Sequence, residues 1–234
     1  MTVQFKFLSE KYRNIKQENL VNISPIIPED LDHLIYIVRK QIKLKGNECD
    51  LNHIDVSQIT EMIGLFEDLE FNGNISKWNV SKVINMSHMF KNCDFNGDIS
   101  KWDVSNVQSM AQMFYGSKFN NDISKWIVSE VLNMNQMFLG CAFNGDISEW
   151  DVSKVTHMTQ MFVSSLFTGD ISNWEPYSLK KIYSLLGDSP INQPYWLKYE
   201  DREERNKAID SYHLQKELNR DLTINDTQKK KTKI

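Results

Sequence analysis

Four aspartates and one asparagine recur at a single phase of this 234-residue chain: Asn74, Asp98, Asp122, Asp146 and Asp170, each 24 residues after the last. Stacked one above the next, such a row of like charges needs neutralising by backbone N–H groups, by lysine or by a cation. Two chemistries are therefore open, a calcium ladder or turn carboxylates bonded to nearby backbone. The spacing fits neither the EF-hand loop nor the nine-residue calcium repeat, which favours the turn. The histidines His33, His53, His88, His157 and His213 share no phase, so no converging metal ligands are expected. Cys49, Cys93 and Cys141 lack a recurring histidine neighbour, so no nucleophile pair is expected either. Neither a glycine-rich phosphate loop nor a G-x-S-x-G elbow occurs. A non-enzymatic protein without cofactor is the expectation.

The elements that position these residues follow from a 24-residue period. Unit one is residues 71–94, unit two 95–118, unit three 119–142 and unit four 143–166, while a fifth, 167–190, starts in phase and then drifts. Residues 51–70 fit as an upstream half unit, unit zero. Trp78, Trp102, Trp126, Trp150 and Trp174 fall one per unit. Their phase with Ile and Phe positions points to the core, with an exposed aromatic face for sugars or peptides as the alternative. The apolar positions of unit two are Phe95, Ile99, Trp102, Val104, Val107, Met110, Met113 and Phe114. One unit cannot bury that face alone, whereas stacked neighbours make a continuous core. The spacing predicts a short helix over residues 107–114, with Ser105 as N-cap and Gln108 completing a capping box. Residues 98–104 read as a short strand or arc, and pairs such as Asn72-Gly73 and Asn96-Gly97 as turns.

Cys93 and Cys141 occupy one repeat position two units apart. At ~4.8 Å per strand their Cα atoms would sit ~9.6 Å apart, beyond the ~7 Å limit for a disulfide. Buried free thiols are expected, compatible with a reducing cytoplasm.

The pattern FNxDISxWDVSxVxxMxxMF closely resembles the BspA-like leucine-rich repeats of the mycoplasma-lipoprotein type. The resemblance implies an α/β repeat fold: a right-handed, leucine-rich-repeat-like solenoid of five to six coils, each a short strand plus a short helix, with helical caps. It also implies a setting among bacterial surface proteins or phage and mobile-element proteins. Four regions result: 1–46, an N-terminal segment and capping helix; 47–190, the repeats; 191–220, a C-terminal capping helix; 221–234, a disordered tail. The first cap is placed at about residues 28–45, with Leu31, Leu34, Ile35, Val38 and Ile42 as its stripe and Gly46 as its stop, and Val3–Phe7 alternates like a strand.

Residues 47–190 hold 9 Lys and no Arg against 18 Asp/Glu, a balance unsuited to a phosphate backbone, so nucleic acid is not an expected partner. No apolar run is long enough to span a bilayer and residues 1–17 contain no apolar signal core, so a cytoplasmic location is expected, with surface exposure as the alternative. The expected partner is a protein, and the expected state a monomer or an end-to-end homodimer. The residues that break the repeat are the candidate contacts. Ile127 replaces the Asp or Asn of its neighbours, Leu132 stands where Gln108 and Thr156 stand, and Tyr115, Leu139 and Val163 form an apolar row behind Lys91. Lys101 and Lys125 continue a basic stripe from Lys77. The expected function is a non-catalytic protein-binding scaffold, and the resemblance implies a phage or mobile-element protein that engages or inhibits a host protein. A surface adhesin and a small-ligand or calcium binder are the alternatives.

Overall fold

The described helices stand at the two ends of the chain, and the repeats between them are built of turns. The computed structural model describes residues 25–231, with side chains through Arg220 and at Leu222. The Val3–Phe7 strand expectation lies outside the described residues. Helix α1 spans Leu31–Lys45. Asp30 caps it, accepting from the His33 N–H at 2.7 Å, and Gly46 ends it with φ 90°, its N–H returning to the Ile42 carbonyl. Leu34, Ile35 and Val38 are buried as the stripe requires, and His33, Tyr36, Ile37 and Gln41 are buried with them.

The helix expected over residues 107–114 does not form. Met110, Gln112, Phe114 and Gly116 donate their N–H groups sideways, to the carbonyls of Asn133, Asn135, Met137 and Leu139 in the next unit, at 2.8–3.0 Å. Within the unit the chain bends in consecutive β-turns, Met113 N–H to Met110 O, Tyr115 N–H to Gln112 O and Ser117 N–H to Phe114 O, at 3.1–3.2 Å. Gln112 and Gly116 sit at φ 55° and 61°, a left-handed conformation that a right-handed helix excludes. The strand expected over residues 98–104 is likewise replaced by turns, such as Trp102 N–H to Ile99 O at 3.1 Å. Parallel bridges fall elsewhere, along Glu61, Asn85, Ser109, Asn133 and His157. Ser105 is not an N-cap. Its N–H and hydroxyl both donate to Asp103 Oδ1, at 3.1 and 2.6 Å, so Asp103 is the residue that sets the turn.

These lateral bonds join every unit to the next. Unit zero is whole rather than half: Asn47, Cys49 and Leu51 exchange backbone bonds with Asn72 and Asn74. Ile26 adds a further bridge to Ile54 beyond it. The eight apolar positions named for unit two, from Phe95 to Phe114, are all buried. The phenylalanines form two files, Phe66, Phe90, Phe114, Phe138 and Phe162 at 5.4–5.9 Å between centroids, and Phe71, Phe95, Phe119, Phe143 and Phe167 at 6.0–6.3 Å. The tryptophans form a third file, at most 4% exposed. Each indole N–H donates to a carbonyl of the preceding unit, Trp126 to Ile99 at 3.1 Å and Trp174 to Ile147 at 2.9 Å. The tryptophans are therefore core, and the exposed aromatic face is set aside.

After the last unit come a 3-10 turn at Tyr195–Lys198 and helix α2, Arg202–Lys231. The helix runs past residue 221, where the sequence suggested a disordered tail. Arg205 is fully buried and donates to the carbonyls of Tyr199, Glu200 and Leu179, closing the end of the last unit with a guanidinium that meets only backbone. Farther along α2, Asp210 accepts from the Tyr177 hydroxyl at 2.9 Å, His213 meets Glu175 at 3.0 Å and Lys216 donates to Asn173 at 3.0 Å.

Candidate functional site

The aspartate row is engaged with backbone. Asp98, Asp122, Asp146 and Asp170 each accept the N–H of the serine two residues on, at 2.8–2.9 Å. These bonds, from the serine hydroxyl and N–H groups, hold all four carboxyls below the usual aspartate range. A second row does the same five residues later: Asp55, Asn79, Asp103 and Asp151 each accept from a serine N–H at 2.9–3.2 Å. Among the described residues no group of three or more His, Cys, Asp or Glu is placed to hold a metal ion. A third row, read in the sequence as turn residues, bonds between units instead. Asn72, Asn96 and Asn120 each accept, through Oδ1, the N–H of the asparagine in the next unit at 2.8 Å, and Asn144 accepts from Thr168, which ends the ladder. The Asn-Gly pairs read as turns are thus interunit clamps.

Cys49, Cys93 and Cys141 are free and buried. Burial pushes the Cys93 thiol up to about 11 and Cys141 to about 12, which suits a packed thiol rather than a nucleophile.

The seven candidate contact residues fall into four columns of the stack. Tyr115, Leu139 and Val163 do adjoin, half-buried, with the intervening Gly116 and Gly140 exposed and bonded to the carbonyls of Leu139 and Val163. Ile127 stands in the second capping row, 61% exposed. Leu132 shares a column with Ile84, Gln108 and Thr156, whose backbones bond in series. Lys101 and Lys125 lie exposed beside the first aspartate row, where their charge helps lower Asp98, Asp122 and Asp146. The candidates thus make one apolar row, one basic row and two isolated residues, Ile127 and Leu132.

A neighbouring column completes that row. Three residues after each member come Lys118, Ala142 and Leu166, the last 64% exposed. Both columns change character along the stack. In the row of Tyr115, the earlier units carry Glu67 and Lys91, paired at 2.9 Å, and the Lys91 ammonium lies 5.8 Å from the Tyr115 ring centroid. In the row of Leu166, the earlier units carry Glu70 and then Asp94 and Lys118, paired at 2.9 Å. Beyond these ion pairs both columns are apolar, with Leu139, Val163, Ala142, Leu166 and Pro190. Leu166 is the apolar exception in a column that begins with Glu70, Asp94 and Lys118.

Stacked 24-residue units with shared columns of side chains define a repeat protein. The sequence matches the family described as Mycoplasma protein of unknown function, DUF285, over residues 36–142 and 116–195. The chain belongs to that family. No curated protein and no solved structure matches it significantly. Among the described residues no helix is long and apolar enough to cross a membrane.

Proposed function

We propose that this chain is a non-catalytic protein-binding scaffold whose partner seats on the apolar edge of units two to five. The observation that carries this reading is the coordinated switch of two columns from ion pairs to Tyr115, Leu139 and Val163 in one and Ala142 and Leu166 in the other. Packing of the core does not require it, because the buried positions are the same in units that carry charge there. An apolar strip bounded by charge is the ordinary anatomy of a protein interface, with aromatic anchors at its centre. The reading includes a solenoid path with the right-handed winding and leucine-rich-repeat affinity that the motif resembles. It also includes a protein partner met in the cytoplasm.

Site-specific photocrosslinkers at Leu139 and Leu166, compared with one at Lys82 on another column, test the edge in a lysate of the native host. The expected result is one protein captured from the first two positions, with capture lost on adding excess unlabelled wild type and kept on adding the same excess of the folded Leu139→Asp/Leu166→Asp variant. Equal capture from Lys82 would move the interface elsewhere on the stack.

A further inference from the structure

Helix α2 bonds to only the first part of the last unit. Arg205 and Asn206 donate to the carbonyls of Leu179 and Tyr177, and the stretch that follows, 180–187, stands at the end of the stack. In earlier units alternate N–H groups of this stretch all donate to the next unit. Met110, Gln112 and Phe114 give to Asn133, Asn135 and Met137 at 2.9–3.0 Å, and Gln160 and Phe162 give to Tyr183 and Leu185 at 3.3 and 3.0 Å. Ile182, Ser184 and Leu186 hold the same positions in unit five. Ser184 keeps a left-handed φ of 43°, as Gln112, Gln136 and Gln160 do at 55°. The chain then leaves for the 3-10 turn and α2 instead of a further unit, and these three N–H groups have no acceptor among the described residues. Backbone N–H groups are obligatory donors, and a row of them on one side is an edge to which another chain adds.

The side chains change at the same place. Lys180 stands where Ile84, Gln108, Leu132 and Thr156 stand, and Lys181 where Asn85, Ser109, Asn133 and His157 stand. Both lysines are exposed, and no described acid pairs with either. Residues 176–187 contain no Asp or Glu, within a repeat body that holds twice as many acids as lysines. The Lys181 ammonium lies 5.5 Å from the ring centroid of Tyr183, next to Ser184 in the chain, and Tyr183 is 57% exposed.

We propose that the open end of unit five binds an extended acidic segment of a partner protein. Alternate backbone carbonyls of that segment accept from Ile182, Ser184 and Leu186, and its carboxylates meet Lys180 and Lys181. The form of the occupant is drawn from the stack: where equivalent donors are met, alternate carbonyls of one continuous chain meet them, as Asn133, Asn135 and Met137 do. The lysines select its charge, because oriented N–H groups and unpaired ammonium groups both favour anions. A lone anion would satisfy the lysines and leave part of the row unpaired. This site does not rest on the apolar edge of units two to five.

Amide hydrogen exchange of the full chain, read residue by residue by NMR, tests this. In the free chain the Ser184 amide is expected to exchange fast while those of Gln112 and Gln136 exchange slowly. The probe is a short peptide alternating valine and glutamate, blocked at both ends. At about 1 mM it should slow Ile182 and Ser184 by about fivefold or more, and it should bind Lys180→Glu/Lys181→Glu about tenfold more weakly, with the melting curve of that variant unchanged. The counterpart peptide with lysine for glutamate should leave these amides unchanged. A Ser184 amide already slow in the free chain at low concentration overturns the proposal, since its donor is then paired. A glutamate peptide that fails to slow Ile182 and Ser184, or that binds the double variant as well as wild type, overturns it too. Equal protection by inorganic phosphate overturns the extended segment in favour of a simple anion. Protection that grows with protein concentration alone overturns it in favour of a second copy of this chain.

Discussion

Replacing Trp126 by phenylalanine isolates one joint of the stack. The indole N–H donates to the Ile99 carbonyl in the preceding unit at 3.1 Å, and the side chain is 4% exposed. The Ile99 carbonyl also accepts from the Trp102 N–H, so it keeps one partner when the indole is lost. The hydrogen-bond term is therefore about 0.5–1.5 kcal/mol and not the larger penalty of an orphaned buried carbonyl. Phenylalanine is smaller by roughly 40 Å³, and at about 24 cal/mol per Å³ the cavity adds about 1 kcal/mol. The sum, about 1.5–2.5 kcal/mol, is expected as a lower urea midpoint with an unchanged slope. Trp102→Phe should cost the same, since its indole donates to Ile75 in an equivalent setting. A loss below about 0.5 kcal/mol at both positions, with a native far-ultraviolet spectrum, would refute the view that the tryptophan file joins the units.

Stability should fall with acid. Serine N–H and hydroxyl groups hold Asp98, Asp122, Asp146 and Asp170 below the usual aspartate range, so their contribution is present above that range and is lost as pH drops through the lowered folded values. A urea midpoint that declines below about pH 4, and declines less when three of the four are changed to asparagine, checks this. Because the same carboxylates are bonded to serine N–H groups, chelation with EDTA or addition of millimolar calcium should leave the melting temperature unchanged within about one degree. Cys93 and Cys141 should resist a thiol reagent at pH 8 in the folded protein and react fully in denaturant. Leu166→Asp, at a 64% exposed position, should change stability by less than about 0.5 kcal/mol while abolishing capture at the apolar edge.

The period, the inward positions and the C-terminal end of α1 were legible because each rests on residue type at a fixed place, whereas its start, placed at about residue 28, falls at Leu31 behind the Asp30 cap. The local backbone was not legible. Val104, Val107, Met110 and Met113 recur at intervals of three, which a helix and a run of β-turns both tolerate. What decides between them is where the N–H groups go, and that depends on a neighbouring unit 24 residues away. Gln112, Gln136 and Gln160 show the same limit. Each holds a left-handed φ of 55°, and the side chains bond in series at 2.6–2.7 Å, a ladder that local propensity does not encode. Arg205 was missed because its partners are carbonyls, which leave no signature in side-chain patterns. Of the candidate contacts, Tyr115, Leu139 and Val163 were found by comparing units, and Leu166 was hidden by its place at the end of one.

The asparagine clamps make chain length a discrete variable. Each clamp holds a residue to its counterpart in the next unit, so every column is in register only when the insertion or deletion is a whole unit. Removing residues 119–142 would join Lys118 to Phe143 and place Asn96 below Asn144, with every file of rings intact. Removing one residue fewer would turn Phe, Trp and Met positions outward in all that follows. A lineage built this way can lengthen or shorten its apolar edge in jumps, changing how much of a partner it spans without redesigning the core.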